Sequence, residues 1–386
     1  MTPGARVAAA IALLDQVQAG AAAEQALTAW ARGSRFAGSK DRAAVRDHVF
    51  DVLRAKRSLG DGAGRDLMQR LALREGWDID ALFSGEGHAP APLSDAERIA
   101  LATPLSLSDA ARCDVPDWLW PFWQRSLGAQ AEAAAIAQQA RADVFLRVNR
   151  RKATPDEAIG LLTQDQIAAE GHPTVAGCLR VTQNPRRVKT SAAYQKGWVE
   201  LQDAASQAAV AQANPSPGAR ILDYCAGGGG KALAFADQYE CHVFAHDIAP
   251  QRLRDLPTRA ARAGVEIPIL TTAQLTQQPS FDLVFCDAPC SGSGTWRRTP
   301  DAKWQFTKER LDQLKNAQTD VLEGAAPLVA PSGALIYATC SVLQDENQDS
   351  VERFLRNHPE WHVVHDAQRL PDGDGDGFYT CVLVKQ

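Results

Sequence analysis

The sequence predicts an α/β protein with a doubly wound, mostly parallel sheet in its C-terminal part. A small α+β module and an all-helical N-terminal region are expected to precede that sheet. Strand-like and helix-like runs alternate after Gly218, both signals mix over residues 143–200, and helical periodicity dominates before residue 140. Such alternation favours a parallel sheet covered by helices. At 386 residues, the chain is long enough for two or three domains.

The helical region comes first along the chain. Residues 5–19, 22–32, 39–59 and 67–73 place apolar side chains at helical spacing, and Gly20 is a typical stop signal. A loop rich in proline and glycine separates these segments from a further amphipathic stretch that ends near residue 139. We therefore predict a helical domain over residues 1–130.

The next segment changes character. Residues 144–149 and 178–182 have strand-like patterns, and residues 155–162 have helical periodicity. This mixture predicts the small α+β module. The resulting domain boundaries are 1–130, 131–200 and 201–386.

The C-terminal domain carries the strongest periodic signal. Strands are predicted at 221–225, 242–246, 267–271, 281–286 and 334–339. Helices are predicted at 231–239, 250–263, 308–326 and 345–357, with Pro257 expected to break or kink the second of them.

Composition limits the class of protein. The net charge is −5, yet residues 141–200 hold ten Lys/Arg against six Asp/Glu, and residues 1–60 hold nine against five. A local basic surplus suits a polyanion such as RNA, and uneven surface charge is the plainer explanation. No apolar run is long enough to span a membrane. The eight cysteines form no C-x-x-C pair, which argues against a zinc site. We expect a cytoplasmic monomer without a metal.

A glycine-rich loop joins the first predicted strand of the C-terminal domain to its helix. Residues 227–230 are all glycine, and Asp247 follows about 20 residues after the loop begins. Glycines allow close approach of the backbone to a ligand, and a carboxylate at this distance suits ribose hydroxyls. The pattern Gly227-x-Gly229-x-x-Ala232 also fits a dinucleotide fingerprint, so a NAD-type protein remains an alternative on this loop alone.

Two cysteines, each followed by serine, end apolar runs. Cys290 stands in Asp287-Ala-Pro-Cys-Ser, and Cys340 follows the last predicted strand in Thr-Cys-Ser. In open α/β sheets the functional residues lie just past the carboxyl ends of the strands. Two thiols and the Asp287 carboxylate at one such edge indicate nucleophilic chemistry with a helper acid.

Together these motifs resemble the Nop/Sun family of RNA cytosine-5 methyltransferases. Residues 222–231 match the family's Leu-Asp-x-Cys-Ala-Ala-Pro-Gly-Gly-Lys except at Gly227 and Gly228. Residues 287–294 match its Asp-Ala-Pro-Cys-Ser-Gly-x-Gly, and residues 339–341 match its Thr-Cys-Ser. The N-terminal region is more weakly similar to the NusB-like domain of bacterial small-subunit rRNA methyltransferases.

The resemblance implies a Rossmann-like class I methyltransferase domain that uses S-adenosyl-L-methionine to methylate carbon 5 of cytosine in RNA. The expected substrate is 16S rRNA, with tRNA still open, and domains 1–130 and 131–200 are expected to bind RNA. The resemblance implies that Cys340 is the nucleophile and that Cys290 assists its release. It also implies that Asp287 contacts the cytosine edge and that Lys231 orients Asp287. The implied cofactor-binding residues are Cys225, Ala226, Gly227, Gly228, Gly229, Gly230, Lys231, Asp247 and Asp287.

Two alternatives stay open. The loss of proline from the glycine loop suggests a more flexible loop, which motivates a non-catalytic RNA-binding ribosome assembly factor. A NAD(P)-dependent oxidoreductase fits the loop but leaves the two Cys-Ser motifs without a role.

Several other residues have two interpretations. Trp296 and Trp304 suit base stacking or packing equally. Basic residues of the small module suit phosphate contacts or a solvated face: Arg147, Arg150, Arg151, Lys152, Arg186, Arg187 and Lys189. Cys225 and Cys286 are expected in the core. Residues 372–377 begin like a calcium loop but lack its final glutamate, so a hairpin turn is expected.

Overall fold

A computed structural model describes all residues from 1 to 386 and divides the chain into two compact units. The first, here the helical unit, comprises Met1–Gln124, Ala129–Arg141 and Trp296–Phe306. The second, here the α/β unit, comprises Arg125–Gly128, Ala142–Thr295 and Thr307–Gln386. No helix of the protein is long and apolar enough to cross a membrane.

Helices form the first unit, as the periodicity predicts. Val7, Leu14, Val49 and Leu67 are almost completely buried in its core, where the apolar stripes of successive helices meet. The helices in chain order are α1 Pro3–Gln18, α2 Ala23–Gly33, α3 Ser39–Arg54, α4 Gly64–Arg74, α5 Ile79–Leu82, α6 Asp95–Ala102, α7 Asp109–Arg112, α8 Trp120–Leu127 and α9 Ala131–Ala137.

The small module opens the α/β unit and has the mixed structure predicted for it. Its antiparallel sheet has the order β2-β3-β1-β4. The elements are β1 Val144–Val148, α10 Pro155–Gln164, β2 Ala168–Gly171, β3 Cys178–Gln183, α11 Ala192–Gln195 and β4 Val199–Leu201.

A six-stranded sheet forms the rest of the α/β unit, in the order β6-β5-β7-β8-β10-β9. Its strands are β5 Arg220–Asp223, β6 His242–Ala245, β7 Phe281–Asp287, β8 Val329–Thr339, β9 Trp361–Arg369 and β10 Phe378–Lys385. Strands β5 to β8 are parallel, and β10 is antiparallel to both of its neighbours. The predicted doubly wound, mostly parallel fold is confirmed.

The remaining helices follow the predicted alternation closely. They are α12 Ala204–Ala213, α13 Gly230–Gln238, α14 Leu256–Ala263, α15 Thr272–Leu275, α16 Pro300–Gln305, α17 Lys308–Ala325 and α18 Gln348–Asn357. The predicted helix at 250–263 is divided into a 3-10 turn, Pro250–Leu253, and α14. Pro257 lies in the first turn of α14, where its missing N–H costs no helical hydrogen bond.

One strand prediction is wrong. Residues 267–271 form only an isolated bridge between Ala245 and Ile269. The antiparallel pair β9 and β10 is absent from the predicted strands, although β10 has a continuous apolar pattern. The turn at 372–377 joins these two strands, as expected for a hairpin.

A short segment after the Cys290 motif belongs to the helical unit, although the sequence placed it in the C-terminal domain. Arg54 Nε donates to the Arg297 carbonyl oxygen at 2.7 Å, and Trp304 Nε1 donates to the Leu53 carbonyl oxygen at 2.6 Å. The Asp301 carboxylate accepts from the Ala23 N–H at the start of α2. Residues 296–306 are therefore part of the folded core of this unit.

Candidate active site

The strand order places the functional motifs at one edge of the sheet. Asp223 ends β5, Asp287 ends β7, and Cys340 directly follows β8. These strands are parallel neighbours, so their carboxyl ends lie side by side. This edge is where open α/β sheets bind ligands.

The two motif cysteines are in contact. Cys290 Sγ lies 3.4 Å from Cys340 Sγ, and the Gly294 N–H donates to the Cys340 carbonyl oxygen at 2.9 Å. The hydrogen bond with Cys340, together with burial, raises the pKa of the Cys290 thiol well above its ordinary value. Cys290 therefore holds its proton at neutral pH and is suited to donate it toward the Cys340 sulfur.

One buried carboxylate connects both Cys-Ser motifs. Glu346 accepts from the Ser291 N–H at 2.8 Å, from the Ser291 hydroxyl at 2.5 Å and from the Ser341 hydroxyl at 2.5 Å. Gln318 Nε2 donates a fourth hydrogen bond at 3.1 Å. Glu346 is fully buried, and burial raises its pKa despite these donors. Since Ser291 and Ser341 directly follow the two cysteines, this carboxylate fixes the spacing of the thiols.

Lys231 and Asp287 form an ion pair at the same edge. Lys231 Nζ lies 2.5 Å from Asp287 Oδ2. Burial disfavours the charged lysine, but the Asp287 carboxylate outweighs it and raises the pKa of Lys231. The Asp287 side chain remains 29% exposed, so it is accessible to a ligand while the lysine holds its orientation.

The glycine loop forms a tight turn between β5 and α13. Gly227 and Gly229 have φ values of +51° and +78°, a backbone region that favours glycine. The Gly227 N–H donates to Asp247 Oδ2 at 2.9 Å, and the Ala249 N–H donates to Asp247 Oδ1 at the same distance. The predicted loop residues and Asp247 are thus brought together. Asp247 thus uses one oxygen on the glycine loop and one on its own following backbone, and it also pairs with Arg252 at 3.2 Å.

A second carboxylate beneath the loop has a free oxygen. Asp223 is fully buried, and its Oδ2 accepts from the Ala232 N–H at 2.8 Å. Its Oδ1 is buried without any hydrogen-bond partner. Burial raises the pKa of Asp223 to about 7. Buried polar atoms are rarely left unpaired, so this oxygen indicates a missing donor such as the ammonium group of a ligand.

Of the other two thiols near this edge, Cys286 is a core residue and Cys225 is only partly buried. Cys286 is completely buried in β7, and burial raises its pKa well above the ordinary value. Burial likewise raises the pKa of Cys225, which lies in the loop. Neither is suited to form a thiolate.

The phosphate interpretation is wrong for one basic residue of the small module. Arg147 is buried and pairs with Asp237 at 2.6 Å. Arg151 and Lys152 are exposed and donate to backbone carbonyl oxygens. The charge of Arg147 stabilises the packing of the α/β unit, a role that the sequence pattern does not distinguish from a basic surface.

The base-stacking interpretation is wrong for one of the two tryptophans. Trp296 is 1% exposed and stacks on Trp123, with ring centroids 6.2 Å apart. Its ring is therefore not free to stack on a base. Trp304 is partly buried and packs against the core of the helical unit.

The sequence motifs contained two further site residues that were not singled out. Asp223 lies inside the glycine-loop motif and Glu346 follows Thr339–Ser341 by a few positions. Their spacing was a usable signal. Their roles depend on burial and on contacts with distant residues, which the sequence does not provide.

Comparison with known proteins identifies the family of these domains. Residues 210–379 match the family model "16S rRNA methyltransferase RsmB/F", and residues 115–189 match the ferredoxin-like domain of RsmF/B-like methyltransferases. The chain is 33% identical over 285 residues to "Ribosomal RNA small subunit methyltransferase B" of Yersinia pestis, and the same figures hold for Yersinia pseudotuberculosis. The match covers 70% of this chain and 66% of the relative, just under two thirds of its length.

Solved structures share the fold. The crystal structure of PH0851 aligns over 100% of this chain and 99% of its own, with a TM-score of 0.77 and 22% identity. NSun6 from Pyrococcus horikoshii, solved with SFG, covers 70% of this chain and 98% of its own, with a TM-score of 0.62 and 16% identity. At these identities the likeness establishes the fold alone.

Proposed function

Because the chain belongs to the RsmB/F family of rRNA methyltransferases, we propose that it methylates carbon 5 of a cytosine in 16S rRNA. The observation that carries this proposal is the contact between Cys290 and Cys340 beside the Lys231–Asp287 ion pair. A covalent route to carbon 5 needs one thiol to attack, one group beside it to move a proton and one group to hold the base edge. All three lie at one sheet edge.

The cofactor is S-adenosyl-L-methionine, which supplies an electrophilic methyl group when bound. The residues at the end of β5 fit it: residues 225–230 give a tight turn for close backbone approach, and the unpaired Asp223 oxygen suits its ammonium. Asp247 holds the loop from below through the Gly227 N–H. Ile248, which is 87% exposed, is an apolar side chain placed for the purine ring.

Cys340 attacks the base in this proposal. Its sulfur adds to carbon 6 of cytosine, which converts the ring into an enamine whose carbon 5 is nucleophilic. Asp287, oriented by Lys231, accepts a hydrogen bond from the 4-amino group at the cytosine edge, and from ring nitrogen 3 once that atom has taken the proton released by the Cys340 thiol. The base must leave its stack to reach these groups.

Cys290 completes the reaction. After methylation, carbon 5 loses its proton and the bond between carbon 6 and the Cys340 sulfur breaks, which restores the aromatic ring. The carbon-5 proton passes to water. Cys290 lies beside the Cys340 sulfur, and its raised pKa keeps it protonated, so its S–H can stabilise the departing thiolate with a hydrogen bond. Cys290 therefore assists release rather than attack.

Variants of the two thiols separate these roles. With tritiated S-adenosyl-L-methionine and 16S rRNA, Cys340→Ala should transfer no methyl group and form no covalent adduct. Cys290→Ala should accumulate a protein–RNA species that survives a denaturing gel. An adduct in the Cys340 variant reverses the assignment, and no transfer or cofactor binding by the unaltered protein refutes the enzyme.

The modified position is a separate question with its own measurement. Bisulfite sequencing of RNA from a deletion strain should show one unmodified cytosine in 16S rRNA, restored by the unaltered gene. A site found only in tRNA would move the substrate proposal from rRNA to tRNA and leave the chemistry intact.

A further inference from the structure

An exposed aromatic residue with exposed basic residues close to it in the sequence lies on the helical unit, which does not contain the candidate active-site residues. We name this the Phe36 surface and define it by side chains of α2, of α3 and of the loop between them: Arg32, Arg35, Phe36, Lys40 and Arg42. All five residues are exposed.

Phe36 is presented to solvent by a well-held loop. It is 73% exposed, and it is the only aromatic residue among the strongly exposed large apolar side chains of the protein. The residues on either side are anchored: Ser34 and Ala37 are buried, and the Ala37 N–H donates to the Ser34 carbonyl oxygen at 3.0 Å. The ring is therefore displayed by a folded turn, at a cost in exposed apolar surface.

The charges around the ring are not neutralised within the protein. None of the side chains of Arg32, Arg35, Lys40 and Arg42 forms an ion pair or a hydrogen bond. The nearby carboxylate of Asp41 points inward, where it pairs with the N-terminal ammonium at 3.1 Å and with Arg6 at 2.8 Å. Four unpaired positive charges thus lie close to Phe36 in the sequence, on exposed side chains of a protein whose net charge is −5.

A shallow cavity of about 360 Å³ adjoins the surface. Leu27 and Trp30 give it an apolar floor, and Arg32 and Arg42 stand at its rim. Arg46 also lines it, but two hydrogen bonds from its guanidinium to Glu24 neutralise its charge. An apolar floor with a cationic rim suits a flat apolar group that carries a negative charge close by.

We propose that the Phe36 surface binds an unpaired stretch of the RNA substrate, with one base stacked on Phe36 and flanking phosphates on the four basic side chains. Single-stranded RNA combines a stackable π-face with a phosphate at each nucleotide, which matches the observed pairing of ring and charge. This inference rests on the proposed function and adds a second contact to the RNA beyond the target cytosine. The surface holds substrate and takes no part in the chemistry.

The ring and the charges have separate tests in the full-length protein. With a fluorescein-labelled 12-nucleotide RNA, Phe36→Ala should weaken binding by about 5- to 150-fold, the range of one base–aromatic stack, and Phe36→Trp should retain it. Ile99→Ala is the matched control, because Ile99 is 68% exposed on the same unit and the neighbouring Arg98 is paired with Asp80. Its RNA affinity should equal that of the unaltered protein.

The charge test uses the salt dependence of binding. Arg35→Glu and Lys40→Glu should each weaken binding and lower the slope of log affinity against log salt by about 1. Arg74→Glu is the control, since Arg74 lies on the same unit, is 40% exposed and pairs only with its neighbour Glu75. It should leave the slope unchanged.

The outcomes distinguish this inference from the proposed function. Unchanged RNA affinity and rRNA methylation in all Phe36-surface variants would overturn the inference and leave the enzyme intact. Binding of labelled polyglutamate that is lost in these variants, with RNA binding retained, would assign the surface to an acidic protein and also overturn it. If the unaltered protein neither binds rRNA nor transfers methyl groups, the proposed function fails instead.

Discussion

Replacing Glu346 by glutamine tests whether one carboxylate fixes the spacing of the two thiols. The substitution keeps the shape but removes the charge, and an amide nitrogen takes the place of one acceptor oxygen. The Ser291 N–H cannot reverse its direction, so the remaining oxygen must stay with it and the new amide must face the two hydroxyls. These hydroxyls already accept from other groups, including the Leu343 N–H on Ser341.

The magnitude follows from the four hydrogen bonds to Glu346. A bond to a charged group contributes ~1.5–3 kcal/mol and a neutral one ~0.5–1.5 kcal/mol, so four bonds lose ~4 kcal/mol in total. Removing a fully buried charge returns part of this loss, which leaves a net cost of about 2–4 kcal/mol. If half of this cost, about 1–2 kcal/mol, raises the barrier at the thiols, the chemical step slows by about 5- to 30-fold.

Single-turnover methyl transfer to rRNA measures the chemical step, and calorimetry measures the affinity for the cofactor. We expect Glu346→Gln to slow transfer without changing cofactor affinity, and to weaken bridging of the two thiols by a trivalent arsenical. Asp237→Asn is the control: Asp237 is also buried, and its loss leaves Arg147 unpaired, but it contacts neither Cys-Ser motif. A Glu346→Gln protein that transfers methyl groups at the unaltered rate refutes the positioning role.

Three further predictions concern charge. Burial raises the pKa of Asp223 to about 7, so cofactor binding at pH 6 should release about 0.9 proton, and Asp223→Asn should release none in calorimetry with two buffers. Burial lowers the pKa of Lys303 from 10.5 to about 8. Because the folded state holds this proton less tightly than the unfolded state, the free energy of unfolding should rise by about 3 kcal/mol between pH 8 and pH 10.5. Lys303→Met should remove that rise, as measured by urea titrations at several pH values. Because Arg259 donates to the Gly228 carbonyl oxygen, Arg259→Ala should loosen the glycine loop and lower cofactor affinity about tenfold. Adding Gly228→Pro to that variant should restore the affinity. Equal cofactor affinity in the unaltered protein, the single variant and the double variant would contradict this prediction.

The sequence was sufficient wherever a local pattern determines the structure. Apolar runs that end in glycine or cysteine motifs placed β5, β7 and β8 within a few residues, because strands buried on both faces have a strong continuous signal. The same runs placed Asp287, Cys290 and Cys340 at one edge. The contact between the two sulfurs, however, required the pairing of β7 with β8, which only the folded sheet provides.

The failures all involve partners far away in the chain. Arg147 looks like a surface charge until Asp237, ninety positions later, is placed beside it. Trp296 looks like a stacking residue until Trp123, far earlier in the chain, packs against its ring. Residues of these types are ambiguous in any local window, because the same side chain can serve solvent, a ligand or a distant backbone group.

The structure of the glycine loop shows whether the loss of the family's proline leaves the cofactor loop unrestrained. Without the family's proline at position 228, the chain alone indicates a looser cofactor loop and so motivates a non-catalytic protein. In the structure, Asp247 accepts from the Gly227 N–H at 2.9 Å, and Arg259 donates to the Gly228 carbonyl oxygen. A side chain on Gly229 would come within 2.3 Å of Leu256. Side-chain hydrogen bonds and close packing therefore restrain the loop where proline would have done so, and the altered motif gives no reason to prefer a protein without cofactor chemistry.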